Sequence, residues 1–227
     1  MASTSNLGSV DLLILAAYAP ELVGLRRLLG DPLYGNVSGV VVSCKTVGVG
    51  LPNAVAGTVT RLMQLRPRAV VLVGTAGVYW GTSAQIGEAI IPRRVQLVAT
   101  SECEGRGAMP EPMGRTVDCN PMLALGLGAG RTPTWELANT LAVTTDDSLG
   151  ARIQQATGCG AENLEAFGVA NACALQNVPF ACVMGLSNRV GGSGRDEWRQ
   201  HHKNAAQGAC EIVSRWLVGG AMGLPHA

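Results

Sequence analysis

The sequence predicts an α/β fold: a single domain of three layers, α/β/α, built around a central mixed sheet. Continuous apolar runs, such as residues 10–17 and 69–73, are typical of strands buried on both faces. Segments with helical spacing alternate with these runs, which favours a mainly parallel or mixed sheet between helix layers. The 227 residues suffice for one such domain. Because neither a repeat nor a linker divides them, residues 1–227 are predicted to be one domain with frayed ends at about 1–9 and 219–227.

In the first half of the chain, apolar runs predict the strands, and residues such as Pro20 predict where the helices begin and end. After the first strand, Pro20 suits the first turn of a helix, because its missing N–H is not needed there. Leucines at helical spacing carry that helix, and a Gly-Asp-Pro sequence ends it. The predicted elements are a strand at 10–17, a helix at 22–29, one or two strands at 37–47, a helix at 54–65, a strand at 69–73, a glycine turn at 74–77, and a turn and strand at 85–92.

The second half begins with a polar segment rich in Gly, Pro and Met, residues 101–118, which predicts a surface loop. Pro179 separates an alanine-rich helix from the last central strand, since proline cannot continue a helix. That strand is expected to stop at a turn formed by Ser187 and Asn188. The predicted elements are a weak helix at 119–129, a strand at 139–145, helices at 148–157 and 164–175, a strand at 180–186, and a final helix from 198 or 201 to 217.

The composition excludes some classes of partner. Hydrophobic residues make up 47% of the chain and charged residues 15%, and the formal net charge is +1. This balance gives no electrostatic case for binding nucleic acid or an anionic membrane. No apolar segment has the length of a membrane span, and the N-terminus lacks the basic region of a signal peptide. The high apolar fraction fits a buried core and a subunit interface.

The cysteines indicate a reducing compartment. There are seven, an odd number, and no two have C-x-x-C spacing. Neither a disulfide framework nor a zinc site is therefore favoured. A cytoplasmic location fits best, and no metal is expected.

Candidate functional residues follow three predicted strands. In sheets of this kind, ligands bind beyond the carboxyl ends of the strands. Glu21 follows the first strand, residues 74–77 follow a middle one, and Asn188 follows the last. Glu165, at the start of the alanine-rich helix, is brought to the same rim. Taken alone, Glu21 and Glu165 are also explained as first-turn helix carboxylates, and Asn188 as a turn residue that bonds its own backbone.

Together, these residues resemble the nucleoside phosphorylase/nucleosidase superfamily, over about residues 10–217. The resemblance implies a nucleoside phosphorylase-like fold. The segments that carry it occur in the family's order, with suitable spacing. They are Gly74-Thr75-Ala76-Gly77, Ile86-Gly87-Glu88-Ala89-Ile90-Ile91-Pro92, Asn163-Leu164-Glu165-Ala166 and Val178-Pro179-Phe180.

Within that superfamily, residues 185–191, followed by Arg195, Asp196 and Trp198, look most like futalosine hydrolases. The resemblance implies that the chain cleaves the N-glycosidic bond of futalosine, releasing hypoxanthine and dehypoxanthine futalosine in an alternative route to menaquinone. It also implies a homodimer, a small-molecule purine nucleoside as partner, and no cofactor.

The resemblance further implies three catalytic residues. Glu165 would hold the ribose 2′- and 3′-hydroxyls, because an ionised carboxylate accepts two donors. Glu21 would orient the attacking water as a general base. Asn188 stands where adenine-specific nucleosidases use an Asp to protonate N7. An amide can donate to N7 or O6 but is no acid, so it suits a 6-oxopurine leaving group.

Other residues are implied to bind the nucleoside. The backbone of Thr75, Ala76 and Gly77 would approach it closely, as glycine permits. Leu164 would pack under the ribose. Asp196 would polarise the base or close over the site, unless it is a solvated surface group.

Several functions stay open at this point. Related phosphorylases bind phosphate with a Gly-Asp-Pro segment, but here residues 30–32 follow a helix rather than a strand, which favours water as the nucleophile. A methylthioadenosine/adenosylhomocysteine nucleosidase is a second alternative, and Asn188 argues against it. A non-catalytic nucleoside-binding paralogue is a third, because fold does not fix function. An amino analogue of futalosine is also open as the substrate.

Overall fold

The computed structural model describes residues 9–128 and 135–226, and it has the predicted α/β architecture. The strands of the described part are β1 (Leu12–Ala16), β2 (Tyr34–Val37), β3 (Val40–Thr46), β4 (Ala69–Val78), β5 (Ala89–Ile90), β6 (Arg94–Leu97), β7 (Thr116–Asp118), β8 (Glu136–Asn139), β9 (Ala161–Asn163) and β10 (Phe180–Arg189). The helices are α1 (Arg26–Leu29), α2 (Leu51–Leu65), α3 (Thr100–Cys103), α4 (Pro121–Leu127), α5 (Asp147–Thr157), α6 (Ala166–Leu175) and α7 (Gly194–Val218). A 3-10 helix, Ala19–Leu25, precedes α1.

These strands form one mixed sheet. Its order is β2-β3-β1-β4-β9-β8-β6-β7, and β10 pairs with β4 and β5. The central strands β3, β1, β4 and β10 are parallel, whereas β9 runs antiparallel to β4. The carboxyl ends of β1, β4 and β10 therefore meet at one rim.

Helices cover both faces of the sheet, which explains the uninterrupted apolar runs. Along β1, Leu13 and Leu15 face one core that α2 and α6 close, and Leu12 and Ile14 face a second core that α7 and the 3-10 helix close. All four side chains are fully buried. Each such burial contributes roughly 1.5–3 kcal/mol, so both faces hold the strand in place. The three-layer prediction is confirmed.

Two predicted turns are strands instead. Residues 74–77, expected to be a glycine turn, continue β4, and Ser187 and Asn188 continue β10. Both segments remain extended because β4 and β10 pair along their whole length. The pairing runs from Val70 opposite Phe180 to Val78 opposite Arg189, with one irregularity between Leu186 and Asn188. Ladder hydrogen bonds compensate for the weak strand propensity of glycine.

Short elements account for most other differences. The strand expected at 139–145 lies earlier, as β8, and residues 141–146 are a loop. The predicted surface loop at 101–118 includes most of α3 and all of β7, and the sequence does not predict β6 or β9. These segments have three or four residues, too few for a period to be recognised. The helix expected at 119–129 is α4, with residue 129 outside the described residues.

Helix starts and the C-terminus also differ from expectation. The first helix is mostly a 3-10 helix, α6 begins at Ala166, and α7 begins at Gly194. Residues 219–226 are packed rather than frayed, because backbone oxygens there accept side-chain donors. Trp216 Nε1 donates to Met222 O at 2.9 Å, and Arg68 Nε donates to Pro225 O at 2.8 Å. The frayed end expected at 1–9 falls, except for residue 9, outside the described residues.

Candidate active site

A cavity of about 550 Å³ opens at the carboxyl ends of β1, β4 and β10. This volume suits a small organic ligand. Its lining combines three glutamates with apolar side chains and one arginine. The lining residues are Ala17, Tyr18, Glu21, Val49, Thr75, Ala76, Gly77, Val143, Thr145, Glu162, Asn163, Leu164, Glu165, Ser187, Asn188, Gly194, Arg195 and Trp198.

The cavity forms where the sheet splits beside β4. The last β1 residue paired with β4 is Leu15, opposite Leu72, and β9 begins to pair only at Gly77. Thr75 lies in this gap, so side chains take over its backbone hydrogen bonds. Its N–H donates to Glu21 Oε1 at 3.1 Å, and its carbonyl oxygen accepts from Asn163 Nδ2 at 3.0 Å. The gap thus places a carboxylate at the centre of the sheet.

Glu21 is buried, with 5% of its surface exposed. Its second oxygen, Oε2, accepts from Ala17 N at 3.1 Å. Burial, and after it the charge of Glu165, raise the pKa of Glu21 to about 7, against the opposing effect of the backbone donors. A carboxyl group with such a pKa can exchange a proton near neutral pH, as a general base requires.

Glu165 reaches the same cavity from the start of α6. Its Oε1 accepts from Gly50 N at 2.8 Å, and the side chain does not cap its own helix. Burial raises its pKa, while the hydrogen bond from Gly50 lowers it. The explanation of Glu165 as a simple helix-start carboxylate is therefore insufficient, since its carboxylate points across to the loop before α2.

Asn163 performs the capping that Glu165 does not. Its Oδ1 accepts from Glu165 N and Ala166 N, each at 2.8 Å, while its Nδ2 donates to Thr75 O. A carboxylate at this position could accept but could not donate to Thr75. The amide therefore joins α6 to β4 and fixes the place of Glu165.

Asn188 lies across β4 from the two glutamates. Ser187 Oγ donates to Asn188 Oδ1 at 2.8 Å, and Asn188 Nδ2 donates to Arg189 O at 2.8 Å. These bonds orient the amide and leave it one N–H for a ligand. Asn188 thus donates to the backbone of its neighbour Arg189, as expected of a turn residue, but it lies in strand β10 rather than in a turn.

The segment 75–77 lines the cavity in a way that differs from expectation. Thr75 cannot offer its N–H to a nucleoside, because Glu21 already accepts it. Gly77 gives room to Asn188 rather than to a ligand's approach: a Cβ there would lie 2.9 Å from Asn188 Nδ2. Ala76 is a buried wall residue.

Of the remaining predicted residues, one lines the cavity and one does not. Leu164 lines it, half-buried. Asp196 does not: its side chain is 78% exposed and accepts from Arg199 Nη1 at 3.1 Å. The reason is helical geometry, because α7 begins at Gly194 and turns Arg195 and Trp198 toward the cavity instead.

Glu162 is a charged cavity residue that was not predicted from the sequence. It is 6% exposed and pairs with Gly77 across the sheet. Its carboxylate accepts from Tyr79 OH at 3.0 Å, Thr144 N at 2.9 Å and Thr144 Oγ1 at 2.7 Å. Glu162 therefore anchors the loop at 141–146, whose Val143 and Thr145 line the cavity. No local pattern marks this role, because Glu162 stands in a segment that also contains Asn163 and Glu165.

Two further findings concern metals and membranes. Within residues 9–128 and 135–226, no group of three or more His, Cys, Asp or Glu side chains is arranged to hold a metal ion. Over the same residues, no helix combines the length and hydropathy of a membrane span.

Comparisons with known proteins give the family and the fold. The family model described as the phosphorylase superfamily matches residues 26–217. Among solved structures, the chain is similar to a 5′-methylthioadenosine/S-adenosylhomocysteine nucleosidase from Neisseria meningitidis, with a TM-score of 0.81 and 17% identity over 92% of this chain and 98% of that one. It is also similar to the nucleosidase from Colwellia psychrerythraea in complex with adenine, with a TM-score of 0.82 and 19% identity over 96% and 98%.

A third similar structure is the futalosine hydrolase of Helicobacter pylori. Its TM-score is 0.81, with 14% identity over 96% of this chain and 100% of that one. At these identities the likeness is one of fold. No curated protein sequence is significantly similar to this chain.

Proposed function

This chain belongs to the phosphorylase superfamily, and we propose that within it the protein is a purine nucleoside hydrolase. Its proposed substrate is futalosine, and its products are hypoxanthine and dehypoxanthine futalosine. The observation that supports this most directly is that Glu21 and Glu165, two buried carboxylates, share one cavity. The amide of Asn188 lines the same cavity on the other side of β4.

The two carboxylates suit the transition state of N-glycoside cleavage, in which positive charge develops on the ribosyl ring. Glu165 would accept hydrogen bonds from the 2′- and 3′-hydroxyls, and its charge would offset that of the ring. Glu21 would take a proton from water as the water oxygen bonds to C1′. The electron pair of the C1′–N9 bond leaves with the base, which acquires its proton from solvent.

Asn188 supports a 6-oxopurine as the leaving group. Its remaining N–H can donate to N7 or O6 of hypoxanthine and stabilise the negative charge of the departing base. It cannot protonate N7, which the poorer leaving group adenine would require. The bond from Ser187 fixes the amide in this donor orientation.

Water is favoured over phosphate because the cavity offers little positive charge. Among its described lining residues, Arg195 is the one arginine or lysine, and it is an exposed residue. The Gly-Asp-Pro segment lies elsewhere: Asp31 is 72% exposed and pairs with Arg26 at 4.0 Å. A dianionic phosphate bound beside Glu21 and Glu165 would meet two carboxylates without a compensating cluster of cations.

A homodimer and a reducing, cytoplasmic location complete the proposal. Val49 and Val143 line the cavity, yet each exposes 56% of its surface. A second copy could cover these apolar side chains. All seven cysteines are free, which fits a reducing compartment.

The proposal is tested by incubating the purified protein with futalosine, inosine and methylthioadenosine, with and without phosphate, and separating the products by chromatography. Hypoxanthine released from futalosine at a rate independent of phosphate supports it. A requirement for stoichiometric phosphate would show a phosphorylase instead. Rapid release of adenine from methylthioadenosine would show the adenine-specific nucleosidase, and binding without turnover of any nucleoside would show the non-catalytic paralogue.

A further inference from the structure

The mouth of the cavity differs in chemistry from its floor. The floor contains buried polar groups, among them the carboxylates of Glu21 and Glu165. The mouth is formed by the lining residues that are exposed to solvent, and most of these are apolar or aromatic. They are Val49, Val143, Thr145, Arg195 and Trp198. An apolar opening that carries one cation favours a ligand group that is both apolar and negatively charged.

Arg195 is the one basic side chain among the described lining residues of the cavity. It stands in the first turn of α7 and is exposed at the mouth. The adjacent carboxylate is engaged elsewhere, because Asp196 pairs with Arg199 Nη1 at 3.1 Å. A guanidinium presents parallel N–H donors that match the two oxygens of a carboxylate. The mouth therefore offers a site for one carboxylate.

Trp198 follows Arg195 by three residues, so the two side chains share one face of α7. Its indole ring is stacked on the ring of His202, with the centroids 4.2 Å apart and the planes at 15°. His202 Nδ1 donates to Trp198 O at 2.8 Å, which holds the imidazole in place. Trp198 still exposes 36% of its surface. A tryptophan fixed in this way offers the cavity a stacking surface for an aromatic group.

We propose that the mouth binds an aromatic carboxylate at the end of the substrate's 5′ arm. The inference rests on the proposed hydrolase function, in which Glu165 holds the ribose hydroxyls and Asn188 faces the base, so that the mouth is left for the 5′ arm. Futalosine carries a benzoate group on that arm. Arg195 pairs with the carboxylate, and Trp198 stacks on the benzene ring. The methylthio group of methylthioadenosine has neither a charge nor a ring, so the mouth discriminates against it.

The test compares Arg195→Gln with the wild type on ligands that differ in the arm. Loss of the charge-assisted pair should raise the KM for futalosine about 10-fold and leave kcat unchanged, because the carboxylate is remote from the breaking bond. The KM for the methyl ester of futalosine, which lacks the charge, should be the same in both proteins. The Kd for 9-deazainosine, which lacks the arm and cannot be hydrolysed, should also be the same. Base release gives kcat and KM, and calorimetry gives Kd.

Arg199→Gln is the matched control, since Arg199 is an exposed arginine of α7 that does not line the cavity. Its KM for futalosine should equal that of the wild type. The stacking contact is tested by Trp198→Leu, which should raise the KM for futalosine about threefold. Trp80→Leu, at a 54% exposed position outside the cavity lining, should not change it.

An unchanged KM for futalosine in Arg195→Gln overturns the inference. Equal weakening of futalosine and 9-deazainosine also overturns it, because Arg195 would then act on the base or the ribose. Wild-type protein that releases no base would refute the hydrolase function separately. The Kd for futalosine then replaces KM: a 10-fold loss of affinity in Arg195→Gln supports the carboxylate site, and a wild-type affinity overturns it.

Discussion

At the scale of single residues, the proposed chemistry depends on the different surroundings of Glu21, Glu165 and Asn188. All three were predicted as site residues from the sequence, and the structure brings all three to one cavity. Their catalytic roles stay proposals. What the sequence could not give is the reason each side chain points inward, because those reasons are contacts with distant residues: Glu21 with Thr75, and Glu165 with Gly50.

The general-base role of Glu21 is tested by Glu21→Gln. An amide cannot accept the proton of the attacking water, so kcat should fall by about 10²–10⁴-fold. In the wild type, kcat/KM should rise with pH and level off above about 7, where the raised pKa of Glu21 leaves the carboxylate ionised. Steady-state kinetics from pH 5 to 9 measure both. Glu111→Gln, at an exposed position, is the control. Unchanged turnover in Glu21→Gln would exclude Glu21 as the base.

The choice of leaving group is tested by Asn188→Asp. A carboxyl group can protonate N7, so adenine should become a better leaving group. The ratio of kcat/KM for the 6-amino analogue to that for futalosine should rise about 10-fold or more. Asn204→Asp, on the exposed face of α7, makes the same change of charge and should leave the ratio unaltered. A ratio that does not move in Asn188→Asp would show that Asn188 does not select the base.

At the scale of elements, the long buried strands were predictable and the short ones were not. Residues 10–17 and 69–73 contain enough apolar side chains to mark β1 and β4. In contrast, β6, β7 and β9 have three or four residues and gain their stability from neighbours that are distant in sequence. The split in the sheet at Thr75, which creates the site, depends on where β1 and β9 stop pairing with β4. A local pattern carries no such information.

The loop at 141–146 is the element that most depends on one buried side chain. In Glu162→Gln, an amide NH₂ group, which can only donate, replaces one of the two carboxylate oxygens that accept hydrogen bonds from Tyr79 and Thr144. We expect a loss of about 1–3 kcal/mol in the free energy of unfolding. Because Val143 and Thr145 line the cavity, KM should rise more than kcat falls. Chemical denaturation and steady-state kinetics measure these effects.

Tyr79→Phe and Glu111→Gln are the companions to that variant. Tyr79→Phe removes one of the three hydrogen bonds to Glu162, so its effect on KM should be smaller and in the same direction. Glu111→Gln should have no effect. A wild-type KM in both Glu162→Gln and Tyr79→Phe would mean that the loop does not depend on this anchor.

At the scale of the whole molecule, three buried carboxyl groups predict how stability depends on pH. The pKa values of Glu21, Glu162 and Glu165 are all raised, by burial first. Between the unfolded pKa of about 4.5 and the folded value, the native state binds more protons than the unfolded state, so stability falls as pH rises. For Glu21, with a folded pKa of about 7, this amounts to roughly 3 kcal/mol.

Chemical denaturation at pH 5, 6, 7 and 8 measures this dependence. The free energy of unfolding should be highest near pH 5 and fall toward pH 8. Below pH 4 it should fall again, because the pKa values of Asp11, Asp118 and Asp146 are lowered in the folded state. A free energy of unfolding that stays constant or rises from pH 5 to 8 would contradict the raised pKa values of the three buried glutamates.

The proposal that this protein hydrolyses the N-glycosidic bond of futalosine is tested most directly by following the oxygen atom of the attacking water into the products. Purified protein is incubated with futalosine in phosphate-free H₂¹⁸O, and the products are analysed by mass spectrometry after brief reaction. Hydrolysis by water should give one ¹⁸O atom in dehypoxanthine futalosine and none in hypoxanthine. No release of hypoxanthine, or release only after phosphate is added with a phosphorylated sugar product, would contradict it.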